Sequence, residues 1–124
     1  EGRIRANQTM DKKLILDLSI PNSYFNIGAV LPLGLLLNEL VTNTIKHAFP
    51  KGREGLITLS IKNVRGGEYK LKYSDNGIGF DEGRDYQSLG LVLIDSFVMQ
   101  LDGVLTRKSN SKGTHYTIVF SMEA

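Results

Sequence analysis

Two hydrophobic periods follow one another along the chain. Lys13-Leu14-Ile15-Leu16-Asp17-Leu18-Ser19-Ile20 opens on an apolar run and then alternates, which predicts a strand stopped by Pro21-Asn22. Over 31–48 the period lengthens to that of a helix, with Leu33, Leu36, Leu37, Leu40, Val41, Thr44, Ile45 and Ala48 on one side. Pro32 is tolerated in the first turn and Pro50 lies just past the end. The opposite stripe carries Glu39, Asn43, Lys46 and His47. Alternation returns over 56–63 and 69–74, with Gly66-Gly67 between them as a hairpin turn. A glycine-punctuated run, Asp75-Asn76-Gly77-Ile78-Gly79-Phe80, and a polar segment over 81–88 come next. A second amphipathic helix is predicted over 89–101, burying Leu89, Leu93, Ile94, Phe97, Val98 and Leu101. Asp102-Gly103 turns into a strand over 104–108, and the turn over 109–113 leads into a last strand over 114–121. The order β, α, β, β, glycine loop, α, β, β predicts an α+β domain: a mixed, mostly antiparallel sheet with helices on one face.

Composition narrows the function classes. A chain of 124 residues with 41% hydrophobic and 23% charged residues fits one globular domain over 1–124, with 1–12 as a partly ordered lead-in. Gly, Asn, Asp and Lys interrupt the apolar runs, so no membrane span of about 20 residues is expected. Residues 1–10 lack the apolar core of a signal peptide. The absence of cysteine excludes disulfides, thiolate catalysis and zinc–thiolate clusters. A net charge of +2 gives no argument for nucleic acid or a membrane surface as partner. The expected location is the cytoplasm, including the cytoplasmic part of a membrane-bound sensor.

Several residues carry chemistry in these positions. Glu39 and Asn43, four apart on a helix, project from one face and can share a water and a hard cation such as Mg²⁺. The Glu39 carboxylate can orient or deprotonate a nucleophile, and Lys46 one turn on can meet a phosphate. The same residues also suit an ordinary solvated helix face. Asp75, at a strand end, can accept a hydrogen bond from an exocyclic amine such as that of adenine. Gly77 and Gly79 allow close approach of backbone to a ligand, although Asn76-Gly77 also suits a plain turn. Gly90, opening the second helix, offers an amide and the helix dipole to an anion. The Thr114 hydroxyl can back a base pocket, and His47 can line it, whereas His115 reads as an ordinary strand residue. No Gly-x-x-x-x-Gly-Lys-Ser/Thr loop is present.

Taken in order, these elements resemble a known family. Asn38-Glu39-Leu40-Val41-Thr42-Asn43-Thr44-Ile45-Lys46-His47-Ala48-Phe49 resembles the N box of the GHKL ATPase superfamily, which includes histidine kinases, gyrase, a class of heat-shock chaperones and MutL. Asp75-Asn76-Gly77-Ile78-Gly79-Phe80 resembles its G1 box, Ser88-Leu89-Gly90-Leu91 its G2 box, and Gly113-Thr114 with Phe120 its closing strand. The sequence is most similar to the catalytic and ATP-binding domain of bacterial sensor histidine kinases of the HWE/HisKA_2 type, from Lys13 to Ser121.

The resemblance implies a Bergerat fold, a two-layer sandwich of a mixed sheet and about three helices with ATP between the N-box helix and a lid. It implies Asn43 as the Mg²⁺ ligand, Glu39 as the residue that polarises the attacking group, and Lys46 on phosphate. Asp75 would take the adenine amine, with Gly77, Gly79, Phe80 and His47 shaping the pocket, Leu89, Gly90 and Leu91 in the phosphate-side box, and Thr114 supporting the base. The implied activity is transfer of the ATP γ-phosphoryl group to a histidine on a separate dimerisation and phosphoacceptor domain, with a response regulator as indirect partner. Two departures stand out: Gln87-Ser88 replaces further glycines of the G2 box, and the lid over 81–87 is short, so the implied phosphate grip is loose. Neither His47 nor His115 sits in a phosphoacceptor helix, so the chain is expected to be a monomeric catalytic piece of a longer protein. Competing implications are an anti-sigma-factor-type serine kinase of the same fold and a degenerate module acting through protein contacts. The run 98–105 followed by Gly113-Thr114 favours the histidine-kinase type.

Overall fold

The strand periods close into one sheet. The computed structural model describes residues 2–7, 12–19, 27–50 and 54–122. Among these, six strands, β1 (Gly2–Asn7), β2 (Lys12–Ser19), β3 (Gly55–Arg65), β4 (Glu68–Asp75), β5 (Val104–Asn110) and β6 (Gly113–Ser121), lie in the order β1-β2-β3-β4-β6-β5. Every neighbouring pair is antiparallel except β2 and β3. That parallel pair is connected through helix α1 (Ile27–Asn43), which runs on as a π-helical turn over Thr44–Ala48. A four-residue helix α2 (Glu82–Asp85) and helix α3 (Leu91–Gln100) complete a two-layer α+β sandwich with a mixed, mostly antiparallel sheet.

One face of the sheet makes the core. Leu36 and Leu40 of α1 and Leu91 and Ile94 of α3 are essentially inaccessible, as are Leu71 of β4 and Ile118 of β6. Tyr69 and Phe120 stack with ring centroids 6.0 Å apart. The outward face carries Lys62, Lys70, Lys72 and His115, all exposed.

Register sorts the inward side chains into rows. Leu18, Ile61, Leu71, Ile118 and Leu105 lie side by side across β2, β3, β4, β6 and β5. One pleat along come Leu16, Leu59, Tyr73, Tyr116 and Arg107, and one further Leu14, Ile57, Asp75, Thr114 and Ser109. Polarity therefore rises along the strands toward one end of the sheet, on β4, β6 and β5.

Several elements differ from the sequence expectation. The lead-in contains an edge strand, β1, paired from Gly2↔Leu18 to Asn7↔Lys13; its pairing partner lies downstream, so local pattern did not announce it. The stop expected at Pro21-Asn22 lies outside the described residues. Helix α1 starts at Ile27, which places Pro32 inside it rather than in its first turn. Ile27–Ala48 is also a 22-residue helix containing an 18-residue window of mean hydropathy 1.3, long and apolar enough by length and composition to span, which corrects the expectation that no stretch reaches spanning length. In the fold this helix is seated on the sheet through Ala29, Leu33, Leu36 and Leu40. Ile45, expected in the core, is 47% exposed, because the wider π turn brings Thr44 and Ala48 inward instead. Leu93 is exposed and Leu91 buried, because α3 begins only after Gly90 and its inward face runs through Leu91, Ile94 and Val98.

This register predicts that Leu36→Ala lowers the unfolding free energy by about 2–5 kcal/mol through lost burial and a residual cavity. Leu31→Ser, on the exposed side of the same helix, should change it by less than about 1 kcal/mol. Chemical denaturation of both variants checks the assignment; equal losses would contradict it.

Candidate functional site

The polar end of the sheet faces the C-terminal part of α1, and a cleft of about 360 Å³ lies between them. Leu40, Asn43, Thr44, His47, Ala48, Asp75, Gly79, Phe80, Leu89, Thr114 and Tyr116 line it. At its floor is Asp75, the last residue of β4, flanked in register by Ile57 and Thr114. The residue is buried, 7% exposed, so its carboxylate needs donors from protein. Oδ1 accepts from the Gly77 amide at 2.8 Å and Oδ2 accepts from the Thr44 hydroxyl at 3.2 Å. Burial pushes the carboxyl pKa up; the Gly77, Thr44 and Thr114 hydrogen bonds and nearby His115 partly oppose that rise.

Thr44 is the hub between helix and sheet. Its Oγ1 lies 2.7 Å from the Tyr73 hydroxyl and 3.1 Å from the Leu40 carbonyl. Each hydroxyl has one proton, so with Thr44 donating to Asp75, Tyr73 donates to Thr44. Burial first of all, offset by the Thr44 hydrogen bond, keeps the Tyr73 phenol protonated far above neutrality, so it remains a donor. Tyr116 meets Tyr73 edge-on with centroids 6.2 Å apart, and burial raises its phenol pKa to about 12.

Glycine is required where the loop closes on the helix. The Ile78 amide donates to the Ala48 carbonyl at 3.0 Å, and a Cβ on Gly77 would collide with that carbonyl at 2.6 Å. Gly79 holds φ +77° and a Cβ there would run into the Asn110 main chain. The Phe80 amide donates to Ser109 Oγ at 2.8 Å, and Ser109 in turn hydrogen-bonds the Thr114 hydroxyl at 2.8 Å.

On the helix side, Asn43 donates its Nδ2 to the Leu89 carbonyl, which leaves Oδ1 as its remaining polar atom. Glu39, half-buried, stands against Gly90: a Cβ on Gly90 would sit 2.8 Å from Glu39 Oε2. Among the described residues no three His, Cys, Asp or Glu side chains converge as a metal cage. Two oxygen donors one helical turn apart still fit Mg²⁺, which takes most of its ligands from water and phosphate.

Of the residues singled out in the sequence, the cleft lining brings together Asn43, His47, Asp75, Gly79, Phe80, Leu89 and Thr114, with Gly77 just behind. Glu39, Lys46 and Gly90 do not line the cleft, Lys46 being exposed, and the Leu91 side chain lies in the core. The Gly90 amide donates to the Gln87 carbonyl at 3.2 Å and that of Leu91 to Tyr86 at 3.2 Å. The amides expected to cradle an anion are thus engaged in the turn. Local sequence pattern does not mark Thr44, Tyr73, Tyr116, Ser109 and Arg107 for the site; their parts in it come from cross-strand register and the π turn.

With this geometry in view, residues 28–124 match the histidine kinase-, DNA gyrase B- and HSP90-like ATPase family. The chain belongs to that family. It is 26% identical to the serine-protein kinase RsbW of Listeria innocua over 77% of the chain and 72% of that protein. It is 28% identical to blue-light-activated histidine kinase 2 of Erythrobacter litoralis over 66% of the chain, but only 25% of that protein. Its fold is similar to that of a histidine kinase domain from Erythrobacter litoralis, with a TM-score of 0.72 at 23% identity over 91% of the chain and 55% of that solved chain. The fold of histidine kinase AdeS of Acinetobacter baumannii gives a TM-score of 0.68 at 22% identity over 93% of the chain and 56% of the solved chain.

The Asp75 environment makes a pH prediction. Its raised pKa means that the contribution is fully present below the ordinary aspartate range, near pH 4, and is lost as pH rises through the raised value. Asp75→Asn keeps an acceptor for Gly77 without the buried charge, so ligand-free Asp75→Asn should melt above the native domain at pH 7. The gap should close below about pH 4. Thermal melts across pH check it, and a lower melting temperature for the variant at pH 7 would contradict it.

Proposed function

We propose that this chain is the ATP-binding catalytic domain of a sensor histidine kinase, which transfers the γ-phosphoryl group of ATP to a histidine on a separate phosphoacceptor domain. The observation that carries the proposal is a buried, doubly hydrogen-bonded carboxylate, Asp75, that lines one cleft together with Asn43, while Glu39, one helical turn before Asn43, stands against Gly90. Asp75 would accept the exocyclic amine of adenine, with Phe80 and Leu89 as apolar walls and Thr114 beside it. Asn43 Oδ1, helped by Glu39, would hold Mg²⁺, which when bound neutralises charge on the triphosphate. Glu39 also offers a carboxylate to orient or deprotonate the incoming imidazole. Phosphoryl transfer is largely positioning and charge neutralisation, so so small a set suffices. His47, exposed at the cleft, and His115, on the outward sheet face, lie on the catalytic domain itself, and the acceptor belongs to another domain. In this proposal the domain is monomeric and cytoplasmic, and a response regulator receives the phosphoryl group downstream.

The similarity to RsbW over most of both chains supports a second reading, a serine kinase acting on a protein hydroxyl. Phosphorylation assays with a histidine-bearing helical domain against a serine-bearing partner protein separate the two.

Calorimetric titration with a non-hydrolysable ATP analogue, with and without Mg²⁺, tests the common ground. Mg²⁺-dependent binding is expected, and its absence up to millimolar ligand would overturn the ATP assignment. Asn43→Ala should weaken Mg²⁺-dependent binding by about 10–100-fold with an unchanged circular dichroism spectrum. Asp75→Asn should weaken ATP far more than GTP, and equal losses would remove its role in reading the base.

A further inference from the structure

Arg107 occupies an inward position on the edge strand β5, between Leu105 and Ser109, and its side chain is only 7% exposed. A buried guanidinium requires carboxylates, and two elements supply them. Nη2 donates to Asp95 Oδ1 of α3 at 2.8 Å, and Nη1 donates to Glu82 Oε1 of α2 at 3.2 Å. The other Asp95 oxygen accepts from the Tyr86 hydroxyl at 2.8 Å. The guanidinium also lies 5.2 Å from the ring centroid of Tyr116, which lines the cleft.

The segment over 81–90 is otherwise lightly held. No residue of α2 is buried, and the helix is closed on itself by Asp81, which caps the Gly83 and Arg84 amides. At its far end Leu89 is buried and its carbonyl meets Asn43. Between those points, Glu82 reaches the rest of the domain through Arg107, while Tyr86 packs against the core and donates to Asp95. Stability alone gives no strong reason for an arginine here. Its Nε is buried without a partner, and Glu82 and Asp95 are exposed enough to be hydrated if it were absent.

We infer that Arg107 is a positioning residue that latches segment 81–90 over the cleft and, through Tyr116, ties the latch to the pocket wall, so that it governs how long a nucleotide is retained. This deepens the ATP proposal and rests on it for the ligand. Arg107→Met keeps the stem and removes the fork, Glu82→Gln removes one arm at an exposed residue, and Arg107→Lys leaves an amine that cannot hold both carboxylates as the planar fork does.

Hydrogen exchange of the ligand-free domain reads the latch directly. Arg107→Met and Glu82→Gln should speed exchange over 81–90 by about three- to tenfold, with β4 and β6 unchanged and Arg107→Lys in between. Release of a fluorescent ATP analogue should accelerate in the same order. Unchanged exchange over 81–90 in both variants, or a uniform rise across the sheet, would overturn the latch. Native protein that binds no ATP analogue would overturn the ATP proposal instead, and the exchange comparison would still decide the role of Arg107.

Discussion

The cleft depends on burying one carboxylate at the end of a central strand. An aspartate removed from water needs donors in fixed places, and Asp75 draws them from two directions. The Gly77 amide can reach Oδ1 only if the chain folds back immediately after β4. That turn presses residue 77 against Ala48 and leaves no room for a side chain. Gly113 meets the same limit from the neighbouring strand, where a Cβ would strike the Asp75 carbonyl. The Thr44 hydroxyl must arrive at strand level from the helix, and it does so at the residue where α1 gives way to the π turn. Helix irregularity, glycine placement and carboxylate orientation are therefore one constraint seen from three sides.

The rows across the sheet separate stability from chemistry. The row through Leu71 and Ile118 is apolar and closed by the helices, and its burial supplies stability whatever happens at the cleft. The next row, Tyr73, Tyr116 and Arg107, is apolar in its rings and polar in its tips. The last row, Asp75, Thr114 and Ser109, consists of groups that can meet a ligand. Because side chains along a strand repeat every second residue, a two-residue step along β4, β6 and β5 moves from core to floor. The domain can thus carry an unfavourable buried charge at one end without loosening the other.

What the sequence made legible follows this division. Asn43, Asp75, Gly77, Gly79 and Thr114 stood out because their types and local spacing point to a ligand, and the structure places them around or just behind one cleft. The 3.6-residue period makes Thr44 a core residue of an ordinary helix, since nothing in it signals a π turn; the same turn moves Ile45 outward. Tyr73, Tyr116 and Arg107 share a row only through pairings between residues up to 43 apart in the chain, as in Tyr73↔Tyr116. Such neighbours leave no local pattern. Strand β1 escaped notice for a related reason, because an edge strand needs only one partner and a polar segment can supply it.

The edge strand β5 holds the glycine loop and the segment over 81–90 through polar contacts. Ser109 fastens the glycine loop through the Phe80 amide, and Arg107 fastens the segment carrying Glu82. Neither attachment is apolar. An apolar seal would add stabilisation in proportion to the area it buried and would have to be undone for every ligand that enters or leaves. Hydrogen bonds to partly exposed groups exchange readily with water and contribute only about 0.5–1.5 kcal/mol each. The segment over 81–90 is thus held by a few such bonds added to the buried Leu89 and the Tyr86 ring. The inward positions of β5 therefore divide in function: Leu105 joins the core side of the sheet, while Arg107 and Ser109 hold the segments beside the cleft through polar contacts.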